Sequence, residues 1–166
     1  AGRTSWVSYA YNASVQIAEM RGSDGSVTTY AYGSLGELKR IAGPLGVTEV
    51  TYETAGQLAP RRVGVRSGPL RTVLTYDASG RLAAIRHFAQ GSRAGIDRTT
   101  RTAYDAVGNT VSVETPEGTS TYAYDELDRL VAYSGTEGVE ATTAYDAAGN
   151  RTSLAVEGGE TITYLY

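Results

Sequence analysis

One phrase that returns about every 21 residues constrains this chain more than any other feature of its sequence. A tyrosine opens it at Tyr11, Tyr32, Tyr52, Tyr76, Tyr104, Tyr124, Tyr145 and Tyr166, at intervals of 21, 20, 24, 28, 20, 21 and 21 residues. The clearest copies are Tyr76-Asp-Ala-Ser-Gly-Arg-Leu, Tyr104-Asp-Ala-Val-Gly-Asn-Thr and Tyr145-Asp-Ala-Ala-Gly-Asn-Arg. Tyr124-Asp-Glu-Leu-Asp-Arg-Leu keeps the frame but carries Asp128 where the others have glycine. The copies at Tyr32 and Tyr52 keep the glycine and lose the aspartate, and Tyr11-Asn-Ala-Ser-Val-Gln-Ile is the most degraded. Self-similarity at a fixed period of this size marks stacked structural units, each unable to bury its apolar face alone.

Each position of the phrase has a physical reason. Four residues after the tyrosine stands glycine in five of the seven complete copies: Gly36, Gly56, Gly80, Gly108 and Gly149. A glycine fixed between strand-like runs most simply supplies a positive φ in a hairpin loop. In five copies the residue after the tyrosine is Asp or Asn: Asn12, Asp77, Asp105, Asp125 and Asp146. Such side chains accept a backbone N–H two residues on and so start a turn, which is the reading preferred here over an acid or a ligand.

Beyond the turn, apolar residues sit six and nine positions after the tyrosine, as in Ile17 and Met20, Leu38 and Ile41, Leu82 and Ile85, and Leu130 and Tyr133. Thr110 and Arg151 break the first of these positions, while Val113 and Leu154 keep the second. A second turn follows at Asp24-Gly25, Glu117-Gly118, Glu137-Gly138 and Gly158-Gly159. An alternating run then leads into the next tyrosine, pairing Tyr9 with Tyr11, Tyr30 with Tyr32, Tyr122 with Tyr124 and Tyr164 with Tyr166 on one strand face. Each unit therefore reads as one β-hairpin, and the chain as an all-β tandem array of about seven hairpins with tyrosine ladders across neighbouring strands. No capped segment with a 3.6-residue period competes with that reading.

Two intervals break the rhythm. The one from Tyr52 holds Pro60-Arg-Arg62 and Ser67-Gly-Pro69, and the one from Tyr76 holds the longest insertion, at about residues 86–99. The extra residues fit an extended hairpin or a projecting loop. The expected organisation is otherwise a single array across residues 1–166. Both ends have the look of cuts in a longer chain, since the first residues lack an apolar leader and the last form an apolar strand-like run.

Composition narrows the chemistry. With 15 Lys+Arg against 18 Asp+Glu and a net charge of −3, no concentrated basic surface for nucleic acid is expected. No apolar run approaches the roughly 20 residues of a membrane helix. The absence of cysteine removes disulfides and thiolate metal sites, and one histidine, His87, leaves little for a triad or a multi-histidine metal centre. His87 beside Phe88 reads as an ordinary loop histidine, for want of a partnered nucleophile. The Asp-x-x-Gly-Asn phrases at Asp105 and Asp146 lack the alternating acids and closing glutamate of calcium loops. Arg61, Arg62, Arg66 and Arg71 form a local basic stretch beside Glu49 and Glu53, which reads as a solvated face. Asn12-Ala-Ser14 and Asn150-Arg-Thr152 match the glycosylation pattern without deciding anything. No catalytic residue, metal or cofactor is assigned, and the chain is not read as an enzyme. The residues singled out are structural: Tyr32, Gly36, Tyr76, Asp77, Gly80, Tyr104, Asp105, Gly108, Tyr124, Asp125, Tyr145, Asp146 and Gly149.

The phrase Tyr-Asp-x-x-Gly-(Arg/Asn)-(Leu/Thr), with Tyr-x-Tyr at its head, resembles the YD repeat of the RHS family over essentially the whole chain. That family includes bacterial rearrangement-hotspot proteins, shell subunits of toxin complexes and teneurins. The resemblance implies hairpins joined into a long β-strip that spirals into a hollow shell around a toxin or C-terminal polypeptide, of which this chain is a fragment. The implied role is structural, in a secreted or cell-surface protein of bacterial type, with flanking repeats and an enclosed toxin domain as partners. Exposed edge strands also imply self-association. The alternative is a surface recognition or adhesion module binding glycan or protein. The sequence has no Asp-Pro pair, so the self-cleavage motif that closes the repeat region in toxic family members has no counterpart here.

Overall fold

The computed structural model describes residues 5–53, 61–91 and 96–166, and within them the chain is all β. Fifteen strands occur among the described residues. They are β1 (Val7–Tyr11), β2 (Ile17–Gly22), β3 (Val27–Tyr32), β4 (Leu38–Gly43), β5 (Gly46–Glu53), β6 (Arg61–Ser67), β7 (Leu70–Tyr76) and β8 (Leu82–Ala89). The second half continues with β9 (Asp97–Tyr104), β10 (Thr110–Thr115), β11 (Gly118–Tyr124), β12 (Leu130–Ser134), β13 (Glu140–Tyr145), β14 (Arg151–Val156) and β15 (Ile162–Thr163). Among the described residues no helix is long and apolar enough to cross a membrane.

The chain divides into two compact units, Ala1–Thr75 with Arg86–Asp97, and Tyr76–Ile85 with Arg98–Tyr166. In the first, β1 to β7 pair antiparallel in chain order. In the second, the strands from β9 to β15 do the same. Each unit is thus a meander of hairpins in which every strand meets its sequence neighbours. No described residue is fully buried, so neither unit has a core of the usual kind. Cohesion has to come from backbone ladders and from cross-strand side-chain pairs, each worth about 0.2–1 kcal/mol.

Of the insertion at 86–99, residues 86–89 and 97–99 are strand rather than loop. Ala89 N–H donates to Ile96 O at 3.0 Å, and Arg86 Nε donates to Asp97 Oδ1 at 2.8 Å, so the extra length is taken up as extended hairpin. Residues 92–95 of the insertion and Gly56 lie outside the described residues.

A bulge sits at the same place in every registered tyrosine hairpin. Tyr124 faces Leu130 and Ala123 faces Ala132, which leaves Val131 as the extra residue. Ala18, Lys39, Val63, Val111 and Thr152 occupy the same position in the repeats opened by Tyr11, Tyr32, Tyr52, Tyr104 and Tyr145. The extra residue resets the alternation of faces. Leu130 therefore lies opposite Tyr124 and Tyr133 opposite Tyr122, on one face although three residues apart. Ile17 and Met20 meet Tyr11 and Tyr9 in the same way. The Tyr122 and Tyr133 rings lie 5.4 Å apart and tilted by 45°. The other face of the same strands exposes small and polar residues, among them Thr29 and Ala31, Thr121 and Ala123, and Thr142 and Ala144.

Candidate functional site

The recurrent constellation is the turn that each opening tyrosine leads into. In the repeat opened by Tyr76, Asp77 N–H donates to Arg81 O at 2.9 Å and Gly80 N–H returns to Asp77 O at 3.0 Å, closing a three-residue loop. The aspartate side chain then holds the loop from inside. Asp77 Oδ1 accepts from Ser79 N–H and Arg81 N–H, both at 2.9 Å, while Oδ2 accepts from Arg81 Nε at 2.7 Å. Asp125 repeats this with Leu127 N–H at 2.9 Å, Arg129 N–H at 3.0 Å and Arg129 Nε at 2.7 Å. Asp105 and Asp146 take an asparagine side chain instead, accepting from Asn109 Nδ2 and Asn150 Nδ2 at 3.0 Å. Asn12 substitutes neutrally, its Oδ1 accepting from Ser14 N–H at 2.9 Å and Gln16 N–H at 3.0 Å.

These carboxylates are held ionised. The Arg129 side chain, the Asn150 side chain and the Arg81 N–H are the leading influences that lower Asp125, Asp146 and Asp77, respectively, below the usual carboxylate range. At Asp105 partial desolvation is the largest single influence and pushes upward, but the combined donors of Asn109, Gly108 and Val107 outweigh it. A carboxylate saturated by its own turn is a structural acceptor rather than a proton donor.

Left-handed backbone marks the loop position four after the tyrosine in every described copy. The φ values are 82° at Gly36, 80° at Gly80, 110° at Gly108 and 89° at Gly149. Val15 and Asp128 adopt 59° at the same position. Their sequence context, in register with the glycines, was the available signal for this.

The tyrosines join one repeat to the one before it. The hydroxyls of Tyr32, Tyr104, Tyr124 and Tyr145 donate to the carbonyls of Ile17, Leu82, Thr110 and Leu130 at 2.9–3.0 Å. Each acceptor is the residue six after the previous opener, the first of the strand beyond its turn. Arginines reach in the same direction. Arg81 lies 4.6 Å over the Tyr104 ring and donates to Asp105 O at 2.9 Å, and Arg129 lies 4.7 Å over Tyr145 with a 3.3 Å bond to Asp146 O. Lys39 covers Tyr52 at 4.9 Å. Gln16 reaches Gly36 O at 2.9 Å, and Asn109 reaches Asp128 Oδ1 at 2.8 Å. Contacts between repeats therefore run from cation to ring and from hydroxyl to carbonyl more than from ring to ring, a mode that spacing of tyrosines alone does not reveal.

Tyr32, Tyr76, Tyr104, Tyr124 and Tyr145 are half-buried, whereas Tyr9 and Tyr11, on the first strand, are 52% and 58% exposed. His87 stands on β8 with its Nδ1 2.9 Å from Thr72 Oγ1, away from any of these turns. Among the described residues no group of three or more His, Cys, Asp or Glu side chains is placed to hold a metal ion.

Residues 104–140, which contain two of these turn units, match the family model described as RHS repeat. That stretch carries the RHS repeat. The same fold recurs in solved structures. A crystal structure of TcdB2-TccC3-TEV aligns with a TM-score of 0.73 at 19% identity over 90% of this chain. A Photorhabdus luminescens Tc holotoxin pore with a mutation in TccC3 aligns with a TM-score of 0.72 at 18% identity, again over 90% of this chain. TcdB2-TccC3-Cdc42 gives 0.71 at 19% over the same share. This chain spans 9% of the length of each of those chains, and the likeness is one of fold. No curated protein matches the chain.

Proposed function

We propose that this RHS-repeat chain is a wall segment of a β-shell that encloses or presents a toxin or C-terminal polypeptide of its own parent protein. The observation that carries the reading is the way the repeats are joined. Hydroxyl-to-carbonyl and guanidinium-to-ring contacts link neighbouring repeats within a unit along the sheet, while no described residue is buried. Material built this way makes surface, not a closed pocket with a core. The likeness in fold to TcdB2-TccC3 assemblies and to a Tc holotoxin pore supports the same role. The partners are flanking repeats and an enclosed polypeptide, and the parent is a secreted bacterial protein.

The test is limited proteolysis with mass spectrometry on the complete parent protein, native and denatured. Under this reading a C-terminal segment resists protease only while the repeats are folded. If that segment is cut as fast in native as in denatured protein while the repeats survive, nothing is enclosed and the reading falls.

A further inference from the structure

A row of charge crosses four strands of the first unit on the face opposite the tyrosines. Arg40 on β4 faces Glu49 on β5, Glu49 faces Arg66 on β6, and Arg66 faces Arg71 on β7. Residues directly opposite share a face, and like charges placed so repel, which makes Arg66 beside Arg71 an unfavourable choice for the sheet alone. Elsewhere in this acidic chain arginines hold close carboxylates, as in Arg98–Glu117 at 2.8 Å, Arg101–Glu114 at 3.1 Å and Arg129–Asp125 at 2.7 Å. Here the balance differs. Arg66 approaches Glu49 only to 3.8 Å, and Arg40 has no ion pair or hydrogen bond among the described residues. Arg71 is tied down by Gly68 O at 3.2 Å and Gln90 Oε1 at 2.8 Å, so Arg40 and Arg66 are the guanidiniums left to the surface.

Both line a groove of about 360 Å³ with Glu49 between them and with Leu45 and Val47 as its exposed apolar wall. Two strand spacings separate β4 from β6, about 10 Å. Neighbouring side chains on one face of an extended peptide lie about 7 Å apart, so two carboxylates on flexible arms span that distance. From this charge complementarity the structure assigns the groove as a docking surface for an acidic polypeptide segment, its carboxylates taken by Arg40 and Arg66. Glu49 is the internal competitor that such a segment displaces from Arg66. The assignment goes beyond the wall role and stands whether or not the sheet encloses anything.

A fluorescein-labelled hexaglutamate peptide titrated with the full chain, read by fluorescence anisotropy at low salt, tests it. Arg40→Gln with Arg66→Gln should weaken binding by about 10-fold or more, as expected for the loss of two charge-assisted hydrogen bonds. Glu49→Gln should tighten it, because the competing carboxylate is gone. Arg98→Gln with Arg101→Gln removes the same charge from the second unit and should leave affinity unchanged. Equal weakening by that control pair would show general electrostatics and overturn the site. So would a Glu49→Gln chain that binds less tightly than the parent, peptide binding that is undetectable, or an oligothymidylate of equal charge that binds more tightly than the peptide.

Discussion

Val15 gives the sharpest test of how the repeated turn is held. It sits at the left-handed position that glycine fills in most other copies, with φ at 59° and 80% of its surface exposed. A β-branched residue in that region carries strain of about 2–3 kcal/mol. Val15→Gly releases that strain but frees the unfolded chain, at a cost of about 0.5–1 kcal/mol. It also gives up the one-fifth of the side chain that is covered, about 0.5 kcal/mol. The balance is a gain of about 1 kcal/mol. Gly149→Ala is the mirror experiment, because a Cβ there meets nothing within 4 Å while φ is 89°. Its penalty is conformational only, about 1 kcal/mol after the stiffer unfolded chain is counted. Urea denaturation followed by circular dichroism reads both, and fluorescence of Trp6, the single tryptophan, reports on the unit that holds Val15. If Val15→Gly lowers the midpoint and Gly149→Ala leaves it unmoved, backbone handedness is not what selects glycine at this position.

Other expectations concern the contacts between repeats. Tyr124→Phe removes the donor to Thr110 O and should cost about 0.5–1.5 kcal/mol in a urea melt without changing the β spectrum. Arg129→Lys keeps the charge but loses the planar stack on Tyr145, at about 1 kcal/mol by the same melt. Acid should weaken the fold in a defined window. Asp77, Asp125 and Asp146 bind protons less readily folded than unfolded, so their contribution is complete above the ordinary carboxylate range and is lost as pH falls below about 4. Melting temperatures measured between about pH 6 and pH 3 should drop along that limb, and the triple Asp→Asn variant at these positions should drop less steeply. An equal slope in both proteins would remove the turn carboxylates as its cause.

The all-β class and its hairpin unit were legible because glycine and aspartate recur in fixed register with tyrosine, and no helical period competes. The apolar positions six and nine after each tyrosine were equally visible, yet an odd spacing on one strand points to opposite faces. Only the bulge at Ala18, Lys39, Val63, Val111, Val131 and Thr152 brings them together, and a set that runs from alanine to lysine does not announce it. The same limit hid the joints between repeats. Arg81 and Arg129 look like ordinary turn-flanking arginines until the register sets the next tyrosine ring beneath each of them. The insertion from Tyr76 was visible as length, but whether it becomes loop or strand is decided by pairing between Ala89 and Ile96, which length does not encode.

The phrase also explains how the fold holds with so little apolar burial. Apolar burial normally offsets the conformational entropy of ordering the chain, and here no described residue is buried. The tyrosine supplies a large ring and a donor in one side chain, so it covers its neighbour's strand and satisfies that strand's first carbonyl together. Aspartate fixes the turn that sets the register, and the arginine or asparagine four residues after it is held by that aspartate while reaching the following repeat. The tyrosine and the arginine or asparagine thus act both within their own hairpin and across to an adjacent one. Stability then grows with the number of joints between repeats rather than with enclosed volume, as in other linear arrays. A substitution in one joint should therefore weaken its own pair of repeats most, and leave distant repeats with their original protection from hydrogen exchange.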